Sequence, residues 1–448
     1  MYNVKTLLHL MEGRALMLSK FGRKIINQNQ DNLLNSFLIG LEVERQRTDA
    51  QGQISSYPYP QNIGNQQDNP WITNDFMETM TEVVTPVATT IDDALSYLEK
   101  LSNVLRSGLH SHGYLWPLSM PPELPRDRRQ VEIAHANAEK RHYFFTWLKS
   151  HELQEATPCG MHINLGLTPQ LTNGLTIAEK NQLYIILAQG FLRYRFMLTY
   201  FFGASPLAER NYFLNNQGPQ RLVRSIRQSA YGFGTKFTGN FADIEHYQER
   251  ILAGICDGKL LAEHDFHSPV RLRKQGSIKD IVVKGTSYLE LRMLDLNPWA
   301  SVGINSDELK LICLMAAYFL VEKPAPYNLQ QFTDMNEQVA LESPYEHCQY
   351  QTEILTFLTE LRKFAGTIQA NQSIYDLLDR LAIMVCHPSL TINGQLARHV
   401  NNGSLISFAV CQAKKFQSRA ALATNVYDGF ASGYVPAADE LAQYLSAK

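Results

Sequence analysis

The amino-acid sequence predicts an α+β fold, and two patterns along the chain support this prediction. Four segments alternate apolar and polar residues with the period of two that is typical of strands. They are FLIGLEVERQRT (37–48), MTEVVTP (80–86), GMHINLGLT (160–168) and YLELRMLDLNP (288–298). From Asp307 onward, helical periodicity continues to the end of the chain. Strands with one apolar face are typical of antiparallel sheets that are covered on one side.

Helices are predicted between these strands. Aspartates in the first turn favour a helix from Thr90 to Arg106, since negative charge stabilises a helix N-terminus. The apolar stretch 176–202 is predicted to be one long helix, because Gly203 and the nearby Pro206 are typical of a helix C-terminus. The predicted helices before the C-terminal part are one within residues 1–36 that precedes a polar stretch, then 90–106, 126–152 and 176–202.

Composition and charge exclude several classes of protein. The 448 residues are 45% hydrophobic and 19% charged, which is ordinary for a globular chain. The formal charge of −2 argues against a nucleic-acid binder, which would carry a basic stripe. Six cysteines without a CxxC pair are typical of free thiols in a reducing compartment. Because the apolar run 311–321 is shorter than the ~20 residues of a membrane span, we expect a cytoplasmic protein without a membrane partner.

The polar faces of the four predicted strands carry ionisable groups. A solvated strand face has the same alternation, but glutamate is depleted in strands, and such faces usually carry Lys, Thr and Ser. Carboxylates gathered on one sheet face require a cation, and oxygen ligands with one imidazole suit Mg²⁺ or Mn²⁺. Such an ion most often bridges substrate phosphates. The polar set is Glu42, Glu44, Glu82, His162, Asn164, Glu290 and Arg292.

Other motifs contribute little. No GxxxxGK[ST] loop or GxSxG elbow is present, and YGFGTK (231–236) is only a loose Gly-rich match. HDFH (264–267) could hold zinc only on a helix, which the nearby Pro269 disfavours. The residues alone therefore predict a metal-dependent enzyme with an acidic sheet face that handles a phosphate.

Seven segments, taken together and in this order, resemble the bacterial glutamate–cysteine ligase family, also called γ-glutamylcysteine synthetase. They are IGLEVERQR (39–47), WITNDFMETMTEVVTP (71–86), LWPLSMPP (115–122), CGMHINLGL (159–167), FGASP (202–206), VRSIRQSAYGF (223–233) and YLELRMLDLNPWASVGI (288–304). The segments are most similar to the version that forms the N-terminal part of bifunctional glutathione synthetases. The resemblance covers roughly residues 38–304.

This resemblance implies a fold and a reaction. The fold is glutamine-synthetase-like, with a curved antiparallel sheet that forms an active-site funnel. We expect one catalytic domain over 1–448, with a sheet-containing core at 38–304 and a mainly helical part at 305–448. The implied reaction joins the γ-carboxylate of glutamate to the amino group of cysteine at the expense of ATP, through a γ-glutamyl phosphate. More than one Mg²⁺ ion, with Mn²⁺ as the alternative, is the implied cofactor, and ATP is a co-substrate.

The resemblance also implies roles for individual residues. Arg292 and Glu290 are the implied catalytic residues, and Arg292 faces the γ-phosphate. The implied metal ligands are Glu42, Glu44, Asp75, Glu82, His162 and Glu290. The implied substrate contacts are Arg227, Phe233, Asn164 and Ala136. The implied nucleotide contacts are Arg292, Arg271 and Arg273.

Two positions depart from the family pattern. Family members often carry tyrosines near the cysteine acceptor where this chain has Ala136 and Phe233. A γ-glutamyl ligase with a different amine acceptor is therefore the second hypothesis, because a pocket without hydrogen bonds discriminates weakly. A non-catalytic homologue that binds nucleotide or amino acid is the third. The sequence shows no second ligase segment before residue 448, so we expect a separate glutathione synthetase to act downstream.

Overall fold

One antiparallel sheet of seven strands organises the chain. The computed structural model describes residues 17–214, 217–232, 237–423 and 427–446. The strands are β1 (Phe37–Thr48), β2 (Ile72–Asn74), β3 (Met80–Val84), β4 (Tyr114–Leu115), β5 (Met161–Leu167), β6 (Val270–Arg273) and β7 (Tyr288–Leu294). Their order is β2-β3-β1-β5-β7-β6, and β4 pairs with β1 outside this path. The predicted α+β class and the four predicted strands are confirmed.

Fifteen α-helices surround the sheet in the described part of the chain. Those before the last strand are α1 (Lys20–Asn29), α2 (Ile91–Gly108), α3 (Ala138–Trp147), α4 (Pro169–Thr172), α5 (Ile177–Arg193), α6 (Arg195–Phe202), α7 (Ile244–Cys256) and α8 (Ile281–Lys284). Those after it are α9 (Ser306–Val321), α10 (Leu329–Ala340), α11 (Gln351–Thr367), α12 (Gln372–Cys386), α13 (Ile392–Ala397), α14 (Ile406–Ala420) and α15 (Ala438–Ser446). The helical character predicted from Asp307 onward is confirmed.

The apolar face of the sheet lies in the main hydrophobic core. Ile39, Leu41 and Val43 alternate along β1 and are each at most 2% exposed. The core to which they belong also includes residues of α2, α5, α6 and the C-terminal helices. Since strand side chains alternate between faces, this burial directs the acidic residues of β1 to the opposite side.

The strand register brings the ionisable residues of that opposite face together. Side chains directly across from each other on neighbouring strands approach to about 5 Å, so each pair below interacts. The pairs are Glu44 with Glu82, Glu42 with His162, Asn164 with Glu290, and Glu290 with Arg271.

A bulge interrupts the pairing of β5 with β7 beside His162. Met161 pairs with Leu294 and Ile163 with Leu291, so β7 carries one extra residue in this interval. The backbone N–H of Arg292, inside the interval, donates to the carbonyl of Pro269 at 2.9 Å instead. Bulges of this kind redirect a side chain and increase the local twist. The bulge thus affects the orientation of Arg292 on the polar face.

The helix predicted over 126–152 is wrong over most of its length. The structure has only a short 3₁₀ turn at Arg128–Gln130 and the helix α3, which begins after Asn137. The side chain of Asn137 accepts a hydrogen bond from the N–H of Lys140 and caps the helix. Residues before it are held in extended conformation, since Glu78 N–H donates to the carbonyl of Glu132. These long-range bonds override the local helical propensity.

The helix predicted over 176–202 is two helices, α5 and α6, with a break at Tyr194. This residue has φ −102° and ψ 14°, outside the helical region. Its ring stacks on Phe357 of α11 at a centroid distance of 3.6 Å. An aromatic stack of this kind contributes about 0.5–1.5 kcal/mol beyond its buried area, which favours the break.

Three further observations concern the predictions for the whole chain. The helix predicted within 1–36, before the polar stretch, falls mostly on residues 1–16, which lie outside the described residues. The described helix α1 covers only its end and continues into the polar stretch. Within the described ranges, none of the helices has the length and apolar character that a membrane span requires. The division into a core at 38–304 and a helical part at 305–448 stays a prediction.

Gly190 allows a close approach of α5 and α9, and we predict that its replacement is unfavourable. A Cβ there would lie 2.4–2.8 Å from ring atoms of Phe319, whereas at Gly366 in α11 the nearest atom is at 3.6 Å. The gain of about 1 kcal/mol in helix propensity is common to Gly190→Ala and Gly366→Ala. We therefore expect Gly190→Ala to be less stable than Gly366→Ala by about 1–3 kcal/mol of overpacking, measured by urea unfolding. Equal stabilities of the two variants would contradict the close contact.

Candidate active site

A cavity of about 480 Å³, here called the central cavity, lies over the polar face of the sheet. Its wall is acidic on the side of β1 and β3, basic on the side of β6 and β7, and partly aromatic along α3. The acidic lining residues are Glu42, Glu44, Asp75, Glu82, Glu139 and Glu290. The basic ones, apart from two histidines, are Lys140, Arg227, Arg271, Arg273 and Arg292.

Three ligand atoms converge beside this cavity. Glu42 and Glu290 line it, whereas His162 is fully buried and is not part of the lining. Among the described residues, Glu42, His162 and Glu290 each place one such atom within 4.8 Å of the others. Nδ1 of His162 lies 3.4 Å from Oε2 of Glu42, and Nε2 lies 3.7 Å from Oε1 of Glu44. This Nε2 is buried and makes no hydrogen bond within the described part of the chain. A buried imidazole nitrogen without a partner, facing carboxylates, fits a divalent cation.

The carboxylates on the acidic side of the central cavity repel one another. Burial raises the pKa of Glu82 well above its usual value, and the charges of Glu42, Asp75 and Glu44 raise it further. Burial alone would also raise the pKa of Glu42, but its hydrogen bond with His162 lowers it below its usual value. A second cation near Asp75 and Glu82 would relieve the repulsion, so these oxygen ligands fit the implied metal.

Glu290 is surrounded by arginines. Nη1 of Arg292 donates to its Oε1 at 2.5 Å, and the Nε atoms of Arg273 and Arg271 lie 3.4 and 3.7 Å from its Oε2. Burial would raise the pKa of Glu290, yet Arg271, Arg292 and Arg273 hold it far below its usual value. The carboxyl is therefore ionised across the physiological range.

The same pairing keeps Arg292 charged. Burial would lower its pKa, but the carboxylates Glu290 and Glu44 raise it above the usual arginine value. With one of its guanidinium nitrogens on Glu290, Arg292 still borders the central cavity. A fixed, charged guanidinium of this kind can contact a phosphoryl group in two places.

Arg227 lies between two cavities. It lines both the central cavity and a neighbouring cavity of about 250 Å³ that also contacts Arg195 and Glu337. Its Nη1 donates to the carbonyl of Leu294 at 2.9 Å. Gly160 leaves the necessary room, because a Cβ there would lie 1.9 Å from Nη2 of Arg227.

The structure does not bring every predicted site residue to the central cavity. Asn164 is not part of the lining, and its Nδ2 donates to Oε1 of Glu42 at 2.7 Å. Ala136 packs against the hydrophobic core. Phe233 lies outside the described residues. The predicted substrate contacts of these three residues stay predictions.

Several lining residues were missed by sequence reasoning because they come from α3 and from the loop before β6. Lys140 donates from Nζ to the carbonyl of Asn74 at 3.0 Å, and Tyr143 packs its ring against His264 at 4.2 Å. The HDFH motif was the available signal, since both His264 and His267 line the cavity. Burial lowers the pKa of His267 well below its usual value, so it is neutral. Neither histidine belongs to the converging ligand group of the described residues.

Comparison with known proteins identifies the family. The model of the family described as "Glutamate-cysteine ligase" matches residues 23–238 and 235–341. The chain belongs to the glutamate–cysteine ligase family. The resemblance inferred from the seven sequence segments is confirmed.

The relatives of this family member include longer proteins. The glutathione biosynthesis bifunctional protein GshAB of Streptococcus thermophilus is 33% identical over 387 residues, 84% of this chain and 51% of the relative. The protein of the same description from Pasteurella multocida is 31% identical over 419 residues, 88% of this chain and 55% of the relative. The chain thus spans about half the length of the curated relatives that it matches.

Solved structures show the same fold. The crystal structure of a bifunctional glutathione synthetase from Pasteurella multocida matches with a TM-score of 0.82 and 28% identity, over 90% of this chain and 55% of that chain. A glutamate–cysteine ligase from Francisella tularensis, crystallised in complex with AMP, has a TM-score of 0.80 and 18% identity, over 92% and 93% of the two chains. The second likeness concerns the fold alone.

We predict that Glu290→Gln weakens divalent-cation binding. Glu290 supplies one of the three converging ligand atoms, so its neutralisation removes both charge and a ligand. Loss of a group that only supports a metal ligand weakens metal binding by roughly 10-fold or more. Because Glu290 would itself be a ligand, we expect the Kd for Mn²⁺, measured by electron paramagnetic resonance, to rise by more than this factor. Glu139→Gln is the matched control, since Glu139 lines the same cavity but lies on α3 and not on the sheet. Equal effects of the two changes would contradict a ligand role for Glu290.

We predict that Glu82→Gln stabilises the metal-free protein. The raised pKa of Glu82 means that ionisation costs folding free energy, and this cost appears as the pH rises above about 4.5, its ordinary pKa. With a chelator present, we expect a higher Tm than wild type at pH 7 and no difference well below pH 4.5. A lower Tm at both pH values would show that ionised Glu82 does not destabilise the metal-free protein.

Proposed function

We propose that the protein ligates the γ-carboxylate of L-glutamate to the amino group of L-cysteine with ATP. The products are γ-glutamylcysteine, ADP and phosphate, and the reaction passes through a γ-glutamyl phosphate. The observation that carries the proposal is the convergence of Glu42, His162 and Glu290, two of which line the central cavity together with Arg292. Family membership supplies the class of reaction.

The chemistry requires the two kinds of charge that the central cavity contains. A carboxylate is a poor electrophile, so transfer of the γ-phosphoryl group to glutamate creates a leaving group before the amine attacks the acyl carbon. Bound Mg²⁺ would neutralise triphosphate oxygens and charge that develops in the transition state. The ligands proposed to hold it are Glu42, Glu44, Asp75, Glu82, His162 and Glu290.

Arginines are proposed to position the phosphates and the amino acids. Arg292, fixed on Glu290, contacts the transferred phosphoryl group, where a guanidinium stabilises the charge of the transition state. Arg271 and Arg273 contact the nucleotide phosphates from β6. Arg227, between the two cavities, binds a carboxylate of an amino-acid substrate. A planar guanidinium binds carboxylates and phosphates in two places, which supports these roles.

A second candidate is a ligase of the same mechanism with a different amine acceptor. Ala136, where family members often carry a tyrosine, packs against the core and brings no hydroxyl group to the cavity. A site that lacks a hydrogen bond to the substrate discriminates less between related amines.

The experiment that tests both candidates is phosphate release from ATP with Mg²⁺ and glutamate, first with cysteine and then with other amines. Fastest release with cysteine, with a product of the mass of γ-glutamylcysteine, would support the proposal. Fastest release with another amine would favour the second candidate. Folded protein without any glutamate-dependent release would overturn both.

The addition of glycine to γ-glutamylcysteine, which gives glutathione, is a separate reaction. The relatives that match this chain are named as bifunctional glutathione biosynthesis proteins and are about twice as long as the matched region. The expectation that a separate glutathione synthetase acts after this protein stays a prediction. Detection of glutathione after glycine is added to the purified chain would contradict it.

We predict that Arg292→Lys lowers kcat by roughly 10³-fold or more, the range for loss of a transition-state arginine. Lysine keeps the charge but loses the planar fork that spans Glu290 and the phosphoryl group. The measurement is the rate of phosphate release at saturating substrates. Arg129→Lys is the control, since the side chain of Arg129 is 90% exposed and lies outside the cavity. A kcat within threefold of wild type (about 0.6 kcal/mol) would remove Arg292 from the reaction.

A further inference from the structure

A buried carboxylate just beyond the end of β7 has no part in the mechanism above. Asp295 is 1% exposed, and the polar groups of the described residues that approach its oxygens are hydrogen-bond donors. Its Oδ2 accepts from Ala204 N, Ser205 Oγ and Ser225 Oγ, each at 2.7 Å. Its Oδ1 lies 3.4 Å from Nε2 of Gln228 and 3.7 Å from Nη1 of Arg227. Five donors suit an ionised carboxylate, which only accepts.

These bonds determine the direction of two hydroxyl groups. A serine hydroxyl has one hydrogen, and the Oγ atoms of Ser205 and Ser225 lie 2.7 Å from Oδ2 of Asp295 and 2.9 Å from each other. A hydrogen bond to a charged carboxylate is the stronger of the two, so we assign both hydrogens to Asp295. Their oxygens are then free to accept, and they accept from the backbone N–H groups of Arg227 and Gln228, each at 3.1 Å. The carboxylate therefore orders the backbone that carries Arg227 through two relayed hydrogen bonds.

The side chain of Arg227 is oriented by the same carboxylate. Nη1 lies between Oδ1 of Asp295 and the carbonyl of Leu294, to which it donates at 2.9 Å. Nη2 lies against Gly160, and Arg227 lines both cavities. Backbone and guanidinium of Arg227 thus depend on one buried group.

We propose that Asp295 is a positioning residue that holds Arg227 in place to receive the carboxylate of an amino-acid substrate. The inference deepens the proposed function and rests on it. Asp295 itself touches no substrate, because it is buried behind Arg227 and the two serines. Its role is expressed as affinity for the amino acid that Arg227 contacts, and not as affinity for ATP.

The test uses Asp295→Asn. An amide at this position directs its NH₂ group toward donors in either orientation, because the groups facing both oxygens of Asp295 are donors. We expect the Kd and KM for glutamate or cysteine to rise roughly 10- to 100-fold, as for loss of a charge-assisted hydrogen bond. We expect kcat and the KM for ATP to stay within about threefold. Unchanged amino-acid affinity in a folded variant would overturn the proposal.

Two controls separate positioning from general destabilisation. Glu209→Ala removes another buried carboxylate, which accepts from Leu405 N at 2.7 Å, and leaves this N–H without its acceptor, so it is expected to lower the Tm without changing the KM for either amino acid. Ser225→Ala removes one relayed bond and is the milder variant if Asp295→Asn does not fold. It should raise the same Kd by a smaller factor, and no rise would overturn the proposal.

A double-mutant cycle tests whether Asp295 acts through Arg227. In the Arg227→Ala background, Asp295→Asn should cause no further rise in Kd, whereas fully additive effects would overturn the proposal. Calorimetric binding separates this inference from the proposed function. If the wild type binds glutamate or cysteine but lacks ligase activity, the proposed function is wrong and the cycle still decides the role of Asp295. If it binds neither amino acid, both fail.

Discussion

The repulsion between carboxylates on one face of the sheet is the constraint on which the site depends. Pairing of β1 with β3 sets Glu44 directly opposite Glu82, and Glu42 belongs to the same face. Burial raises the pKa of Glu82, and the charges of its neighbours raise it further, which is the electrostatic cost of this arrangement. A fold accepts such a cost where a bound cation offsets it, so the same feature that weakens the metal-free sheet prepares it for metal.

The charges are not mixed at random but separated across the central cavity. On the strands that line the cavity, β1 and β3 contribute carboxylates and β6 and β7 contribute arginines, and Glu290 is the acid that these described strands place on the basic side. Because three arginines keep Glu290 ionised, it can share its oxygens between Arg292 and a cation. This separation suits a triphosphate, which needs a metal ion and guanidinium groups at once.

The surrounding structure holds these groups in place with buried hydrogen bonds. Arg227 has carbonyl acceptors at the end of β7 and a glycine, Gly160, where a side chain would collide with it. Asn164, although outside the cavity lining, orients Glu42 through its amide. Positioning groups of this kind limit the freedom of the charged side chains, and preorganised charges are most effective in a site that excludes water.

The sequence alone determined which residues share a face, because the alternation in a strand is local: Glu42 and Glu44 could be placed opposite Leu41 without any structure. The resemblance to the family added Asp75 to the carboxylates that the strand pattern predicts for this face. Tertiary structure decided what depends on partners distant in the chain. The pairing of Glu290 with Arg271 requires the register of β6, and the break at Tyr194 requires a ring from α11. Local periodicity carries no information about either contact, because register and packing are set by interactions between separate segments.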